Sequence, residues 1–561
     1  MNRLFARHTK RQVQSLDGFW HFWTDPDDVG VDEQWFRQLP AEGRRVLVPS
    51  CWNNDLGLYD YEGPAWYART FHSESERVNL VFHGFSGQID IYVDGMHAAS
   101  QYGGFTGIEV LVENLKPGEH HLVVRVDNTH NNSNTIPLAR VDWFHYGGLF
   151  RGVELQELRD VWIKDATIRY TLDHTERTVQ LDMQVVVQSF GSELQKDLVV
   201  EVNGESLCRV PLTVRGEMTV EIPRQTLSQV DVWDCGHPNL YMFRFALAED
   251  DLQERLGFRN VGVERGRLLL NGQPVNLKGV NRHEDHPEWG FAIPLHLMKK
   301  DLDIIKMLGC NTVRGSHYPN HPVFLDLLDE EGILFWEEIP MWGFPEPALA
   351  DPLTLQRGLR MHEAMVRRDI HHPAIILWGL HNEVDTRTQT AFDLTQAFAE
   401  RIKSLDTSRP LTYATNRPLD DICLSLVDII SVNKYFGWYE GSKEDWAEFL
   451  TDLKEKLRQD GLTGMPIIIS EFGAGAIYGD STFEAPKWTE DFQTDYLAYT
   501  LALFADDADV IGSYVWQYCD IRTAKELDLG RPRSFNNKGI VNEYRKPKQA
   551  FWKVQELYRR F

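Results

Sequence analysis

The stretch "AIILWGLHNE" (374–383) runs through seven almost wholly apolar residues and then breaks into His381, Asn382 and Glu383. It is too short for a helix, rich in branched and aromatic side chains, and shows no alternation. That is the pattern of a strand buried on both faces, as in a parallel sheet covered by helices. Upstream the pattern recurs in "PVNLKGVN" (274–281), "NTVRGSH" (311–317) and "ILFWEE" (333–338). Downstream it recurs in "LTYATN" (411–416), "IISVNKY" (429–435), "PIIISEFG" (466–473) and "VIGSYVWQY" (510–518). Amphipathic segments lie between, among them 295–308, where Leu295, Met298, Leu302, Ile305 and Leu308 mark one apolar stripe. Eight strands, most followed by a helix, predict a (β/α)8 barrel over 263–561.

Before residue 263 the rhythm is different. Short alternating runs such as "QIDIYVDG" (88–95), "EHHLVVRVDN" (119–128) and "TVQLDMQVVVQS" (178–189) are separated by Gly, Pro and Asn turns. Asp94-Gly95 reads as a hairpin turn. Two β-sandwiches in series, 1–160 and 161–262, are expected, giving a three-domain chain.

Composition narrows the partners. A formal charge of −25 over 561 residues opposes binding to nucleic acid or an anionic membrane. No apolar run reaches the about 18 residues of a transmembrane helix, and the start, "MNRLFARHTKRQVQSLDG", lacks the apolar core of a signal peptide. The six cysteines, at 51, 208, 235, 310, 423 and 519, have no CxxC spacing and read as reduced thiols. A cytoplasmic protein is expected, and self-association into a homo-oligomer. No cluster has convincing metal spacing, His283, Glu284 and His286 being the nearest to one, so no metal or other cofactor is expected.

Barrel active sites lie at the C-terminal ends of the strands. The predicted exits deliver Arg314, His317 and Tyr318; Glu337 and Glu338; His381, Asn382 and Glu383; Asn433, Tyr435, Trp438 and Tyr439; Glu471; and Trp516. Glutamates ending the fourth and seventh strands suit acetal hydrolysis. That reaction needs one carboxyl to protonate the leaving oxygen and one carboxylate facing the oxocarbenium-like carbon.

At this point the residues carry a resemblance. "WGLHNEVD" (378–385), "IIISEFGAG" (467–475), "GVNRHEDHPEWG" (279–290) and "TVRGSHYPNHP" (312–322) resemble the barrel motifs of glycoside hydrolase family 2. The resemblance covers essentially the whole chain. It implies an N-terminal jelly-roll β-sandwich, an immunoglobulin-like β-sandwich and a catalytic TIM barrel. It also implies Glu383 as acid/base, Glu471 as nucleophile oriented by Tyr435, Asn382 on the sugar 2-hydroxyl, His317 on ring hydroxyls and Trp516 walling the sugar site. "NNKG" (536–539) resembles the Asn-x-Lys pair with which the β-glucuronidases of that family bind the sugar carboxylate, through Asn536 and Lys538 in a surface loop. "VDWFHYGGLFRGVEL" (141–155) and "NKYFGWYEG" (433–441) likewise make Asp142 a sugar-hydroxyl acceptor and Tyr439 a carboxylate contact. Two departures stand out: Val384 follows the acid/base where the family usually has Pro, and the chain after "FWEEIPMWGF" (335–344) reaches the next helix without a long loop.

The expectation is therefore a retaining exo-β-glucuronidase acting on a small glucuronide or a uronic-acid-terminated oligosaccharide. A β-galacturonidase, or a uronidase of dual specificity, is the near alternative, since Asn-x-Lys does not read C4. A β-galactosidase leaves Lys538 unexplained, and a non-catalytic carbohydrate-binding scaffold leaves the paired glutamates unexplained.

Overall fold

The computed structural model describes residues 2–191, 193–524 and 531–560. In the first sandwich a six-stranded sheet (Arg44–Val48, Gly18–Thr24, Pro64–Ser73, Gly118–Asp127, Gln88–Val93, Met96–Tyr102) faces a four-stranded one (Gln12–Ser15, Val153–Leu158, Arg77–Phe82, Ile108–Glu113). Trp20, Phe22, Tyr67, Leu80, Phe82 and Ile91 fill the space between them. The Asp94-Gly95 turn has φ of 49° and 73°, as a two-residue hairpin requires. The second sandwich packs a three-stranded sheet on a four-stranded one. Its strand Thr178–Ser189 buries alternate residues, Val179, Leu181, Met183, Val185 and Val187, so the pleat itself sorts core from surface.

The third domain is a closed parallel barrel: β1 (Leu277–Asn281), β2 (Thr312–Gly315), β3 (Leu334–Glu338), β4 (Ile375–Asn382), β5 (Leu411–Thr415), β6 (Ile430–Asn433), β7 (Ile467–Phe472) and β8 (Val510–Val515). Every residue of β4 and of β7 is buried, which is why both read as unbroken apolar runs. The helix Leu295–Leu308 has the expected bounds and stops at Gly309 in the left-handed region, φ 93°. Its stripe needs one correction. Leu295 is 39 % exposed, and the buried face begins at Leu297 and Met298, because the first turn projects beyond its neighbours.

The first sandwich is locked onto the barrel mouth. Phe105 stacks on Tyr318 at 4.3 Å, and Arg151 reaches Glu284 at 2.9 Å. The segment after strand Gly118–Asp127 then runs across the C-terminal face of the barrel, where Phe144 N–H donates to the Arg522 carbonyl at 3.0 Å. This route brings Asp142 and Trp143 to the strand ends. All six cysteines are free thiols, and none of the helices among the described residues is long and apolar enough to cross a membrane.

Candidate active site

Glu383 follows β4 directly, with φ 52°, a left-handed conformation costing a non-glycine residue about 1–3 kcal/mol. Its N–H is tied to the Ala414 carbonyl at 2.8 Å, and the sharp exit aims its carboxyl inward. Asn433 at the end of β6 donates to Glu383 Oε1 at 2.8 Å, and Asn416 to Oε2 at 3.3 Å. Glu471, in β7, accepts from Arg314 at 2.9 Å on Oε1 and from the Tyr435 hydroxyl at 2.8 Å on Oε2.

Arg314 is the hub. Fully buried at the end of β2, its guanidinium spans Glu338 (2.9 Å), Glu471, Asn281 (3.1 Å) and the Asn382 Oδ1 (2.7 Å). One guanidinium therefore binds two carboxyls, Glu338 and Glu471, and its charge also acts on Glu383. Among the described residues no second Lys or Arg pairs with these carboxyls, so the three cannot all ionise in so dry a site. Burial, and then the charge of Glu471, push the Glu383 carboxyl up to about 8. Burial lifts Glu471 to about 7, with Arg314 and Tyr435 pulling it down. Glu383 thus holds its proton more tightly than Glu471. Two environments have separated two like carboxyls, the arrangement an acid and a nucleophile need.

Among the buried polar atoms without a hydrogen-bond partner here are Asn382 Nδ2 and His317 Nε2, the latter 3.9 Å from Glu471 Oε1. Asn382 spends its oxygen on Arg314 and Asn433, so its amide donor is left for a ligand. His317 engages Glu338 through Nδ1 at 2.7 Å, and burial keeps the ring neutral. Trp516, one residue past β8, stacks on His317 at 5.2 Å, and Trp143 stands 5.4 Å away on another side. Aromatic walls, the Asn382 donor and the His317 acceptor together border the two carboxyls as a sugar site would.

At the rim the structure corrects the expectation for the "NNKG" loop. Lys538 is not on the surface but buried, 3 % exposed, because the loop after β6 folds over it. Its Nζ donates to the Tyr439 hydroxyl at 2.6 Å and sits 4.7–5.6 Å from the rings of Tyr435, Trp438 and Tyr439. No carboxylate among the described residues forms an ion pair with it, and burial, then Arg531, draws its pKa down to about 7. The Asn536 amide is committed to Asp142 at 2.7 Å, and Arg531 pairs with the same carboxylate at 2.8 Å. Asp142 is therefore itself a bound acceptor, fixed by two donors. Arg533, at φ 59°, turns away to Glu543. Tyr439 keeps 56 % of its surface exposed while its hydroxyl faces inward.

The sequence left Arg314, Glu338, Asn433 and Trp143 without roles. Three of them stand at predicted strand exits, which was the available signal; Trp143 had only its neighbour Asp142 to recommend it. His283, Glu284 and His286 do not converge: His283 meets Tyr318 and Glu284 meets Arg151. Among the described residues one group does bring possible ligand atoms together, Asp326, Asp329 and His372. It lies outside this site, with Asp326 held by Arg3 and Arg255.

Paired, unequally acidic glutamates beneath an aromatic-walled slot at a barrel's strand ends define a glycoside hydrolase. The comparisons agree with that class. Residues 261–561 match "Glycosyl hydrolases family 2, TIM barrel domain", 13–159 match "Glycosyl hydrolases family 2, sugar binding domain" and 161–259 match "Glycosyl hydrolases family 2". The chain belongs to glycosyl hydrolase family 2. It is 29 % identical to a β-glucuronidase of Paenibacillus borealis, over 98 % of this chain and 97 % of that one. Among solved structures it is similar to a family 2 β-galacturonidase of Eisenbergiella tayi bound to galacturonate, at 33 % identity and a TM-score of 0.93, covering 100 % and 99 % of the two chains. It is also similar to a Ruminococcus gnavus β-glucuronidase in complex with D-glucuronic acid, at 27 % identity and a TM-score of 0.87, again over 100 % and 99 %.

Proposed function

We propose that this chain is a retaining exo-β-uronidase, cleaving a terminal β-D-glucuronide through a glycosyl-enzyme on Glu471. Lys538 carries the substrate class. A buried ammonium with no carboxylate ion-paired to it among the described residues is costly unless a ligand supplies one. A sugar carboxylate placed against Lys538 and the Tyr439 hydroxyl would restore the ammonium's charge and gain a charge-assisted bond. In this reading Glu383 gives its proton to the leaving oxygen, Tyr435 and Arg314 hold Glu471 for attack, and Asn382 Nδ2 donates to the 2-hydroxyl. His317 and Asp142 accept from ring hydroxyls, and Trp516 backs the ring. β-Galacturonide is the second reading, favoured by the 33 % identity to the galacturonidase, because nothing about the ammonium of Lys538 reads C4. Side-by-side kcat/KM on aryl β-glucuronide, β-galacturonide and β-galactoside tests both readings. The two uronides are expected to exceed the galactoside by far.

Lys538→Ala is expected to lower kcat/KM on uronides about 10- to 150-fold, the equivalent of about 1.5–3 kcal/mol for a bond to a charged group. A neutral β-glycoside should lose little or gain. Thermal unfolding of the free enzyme should stay level or shift upward, since the substitution removes an unpaired buried charge. Equal losses on charged and neutral substrates would assign the loop a purely structural part.

The pH profile follows from the same groups. Activity should rise as Glu471 ionises at about 7 and fall as Glu383 loses its proton at about 8. Loss of the Lys538 proton near 7 adds to the alkaline fall for uronides only. A narrow maximum near neutrality is expected, broader on its alkaline side for a neutral glycoside. Proton NMR of the first-formed sugar should show the β-anomer before mutarotation. First appearance of the α-anomer would mean direct attack by water and remove Glu471 as nucleophile.

A further inference from the structure

We propose that the cleft between the first sandwich and the helix Pro352–Asp369 is a second carbohydrate site, one that takes uronic-acid oligosaccharides. The proposal rests on the uronidase reading for the choice of ligand. The cleft encloses about 640 Å³, within the range of about 300–1,000 Å³ typical of ligand sites. None of the proposed catalytic or sugar-contacting residues lines it.

Its two walls differ in kind. The helix packs Thr354, Gly358, His362, Met365 and Val366 against the barrel. A separate face, spaced by helical turns, presents Arg357, Arg360 and Arg367 to the cleft. One acid shares that lining, Glu363, and it is already held by Arg367 at 2.9 Å and by Arg401. Arg360 is exposed and has no ion pair or hydrogen bond among the described residues. Arg357 donates to the Asn134 carbonyl at 2.8 Å, and among the described residues neither it nor Arg360 is ion-paired to a carboxylate. In a chain of charge −25 these two guanidinium groups mark an anion-accepting surface, and their planar fork matches carboxylates.

The opposite wall, on strands Gln88–Val93 and Met96–Tyr102, is built for a sugar. The Tyr102 ring is fixed by its hydroxyl, which accepts from Ile136 N–H at 2.7 Å, and by the Arg357 guanidinium 3.9 Å above it. Gln101 spends its amide N–H groups on the Gly103 and Gly107 carbonyls, leaving its oxygen as an acceptor for hydroxyls. The Gln101 amide oxygen beside the arginines suits a chain of sugar acids better than a bare phosphate, which would leave that acceptor unused. A neighbouring cleft of about 550 Å³ shares Thr106 and Arg367, but its further cations Arg3, Arg7 and Lys164 are paired with Asp326, Glu254 and Glu217, so the anion site is confined to the first cleft.

The test uses the full chain carrying Lys538→Ala, which weakens uronate binding at the catalytic pocket. Calorimetric titration with tetragalacturonate should show binding that weakens with added salt. Adding Arg360→Glu and Arg367→Glu should raise Kd about tenfold or more. Cellotetraose, equal in length and uncharged, should not bind. In the otherwise wild-type chain the same two substitutions, both at exposed positions, should leave aryl β-uronide hydrolysis unchanged, which also controls for folding. Absent binding, binding indifferent to the two substitutions, or equal binding of cellotetraose would overturn the proposal. Binding of inorganic phosphate but not tetragalacturonate would overturn it too. If the wild type fails to hydrolyse aryl β-uronides, the uronidase reading falls, while the titration still decides the cleft.

Discussion

Glu471→Gln is expected to lower kcat on an aryl β-uronide by on the order of 10⁵-fold, the scale of losing a covalent nucleophile. A neutral amide cannot form the acylal ester, and it also leaves Arg314 bonded to the Glu338 carboxyl without the Glu471 charge. That second effect works against a simple substitution. With the Glu471 charge gone, Glu383 loses the neighbour that helps hold its proton, so its pKa should fall. Residual activity, if measured, should therefore have its alkaline limb at lower pH than the wild type. The geometry that keeps Glu471 in place is shared among Arg314 and Tyr435, so the variant should fold normally.

Glu383→Gln should behave differently, and the difference identifies the role. On a substrate with a good leaving group the first step survives, because little protonation is needed. Deglycosylation slows, because no base activates the incoming water, by about 10²–10⁴-fold. A burst of aglycone followed by a slow steady state is expected in stopped-flow absorbance. On a substrate with a poor leaving group both steps fail and the burst vanishes. Added azide, a nucleophile that needs no base, should restore turnover on the activated substrate. Wild-type turnover in this variant would contradict the acid/base assignment. Asn433, held by Ser470 and Asn382, can still donate to the Gln oxygen, and Asn416 can rotate to accept from the Gln amide, so gross rearrangement is not expected.

Much of this was legible in the chain, for physical reasons that differ by element. The barrel strands could be read because burial on both faces leaves no alternation to confuse with a sandwich; the run at 374–383 became β4 at Ile375–Asn382. The helix over 295–308 could be read because its stripe is driven by packing, yet the exposure of Leu295 was not, since what covers a first turn is decided by other elements. Strand ends named most of the polar residues that the structure gathers. Their pairings were not legible: that Arg314 would bind Glu338, Asn382 and Glu471 depends on barrel closure, which brings together residues far apart in the chain. A lone Glu338 or Asn433 at a strand end looks like an ordinary cap. Lys538 is the instructive case. Asn-Asn-Lys-Gly has the composition of an exposed turn, and its burial comes from Trp438 and Tyr439, a hundred residues earlier. Which of Arg531 and Arg533 turns inward was decided by backbone conformation, with φ 59° sending Arg533 outward.

The central claim is that a terminal uronate is transferred to Glu471 while Lys538 holds its carboxylate. Trapping tests it most directly: the wild type is incubated with a 2-deoxy-2-fluoro-β-D-glucuronosyl fluoride, quenched, digested and mapped by mass spectrometry. The account predicts a single fluorouronosyl adduct on the peptide containing Glu471, formed far faster than with the matching neutral fluoroglucosyl reagent, and that advantage lost in Lys538→Ala. An adduct on another residue, or labelling by the neutral reagent at the same rate, would contradict it.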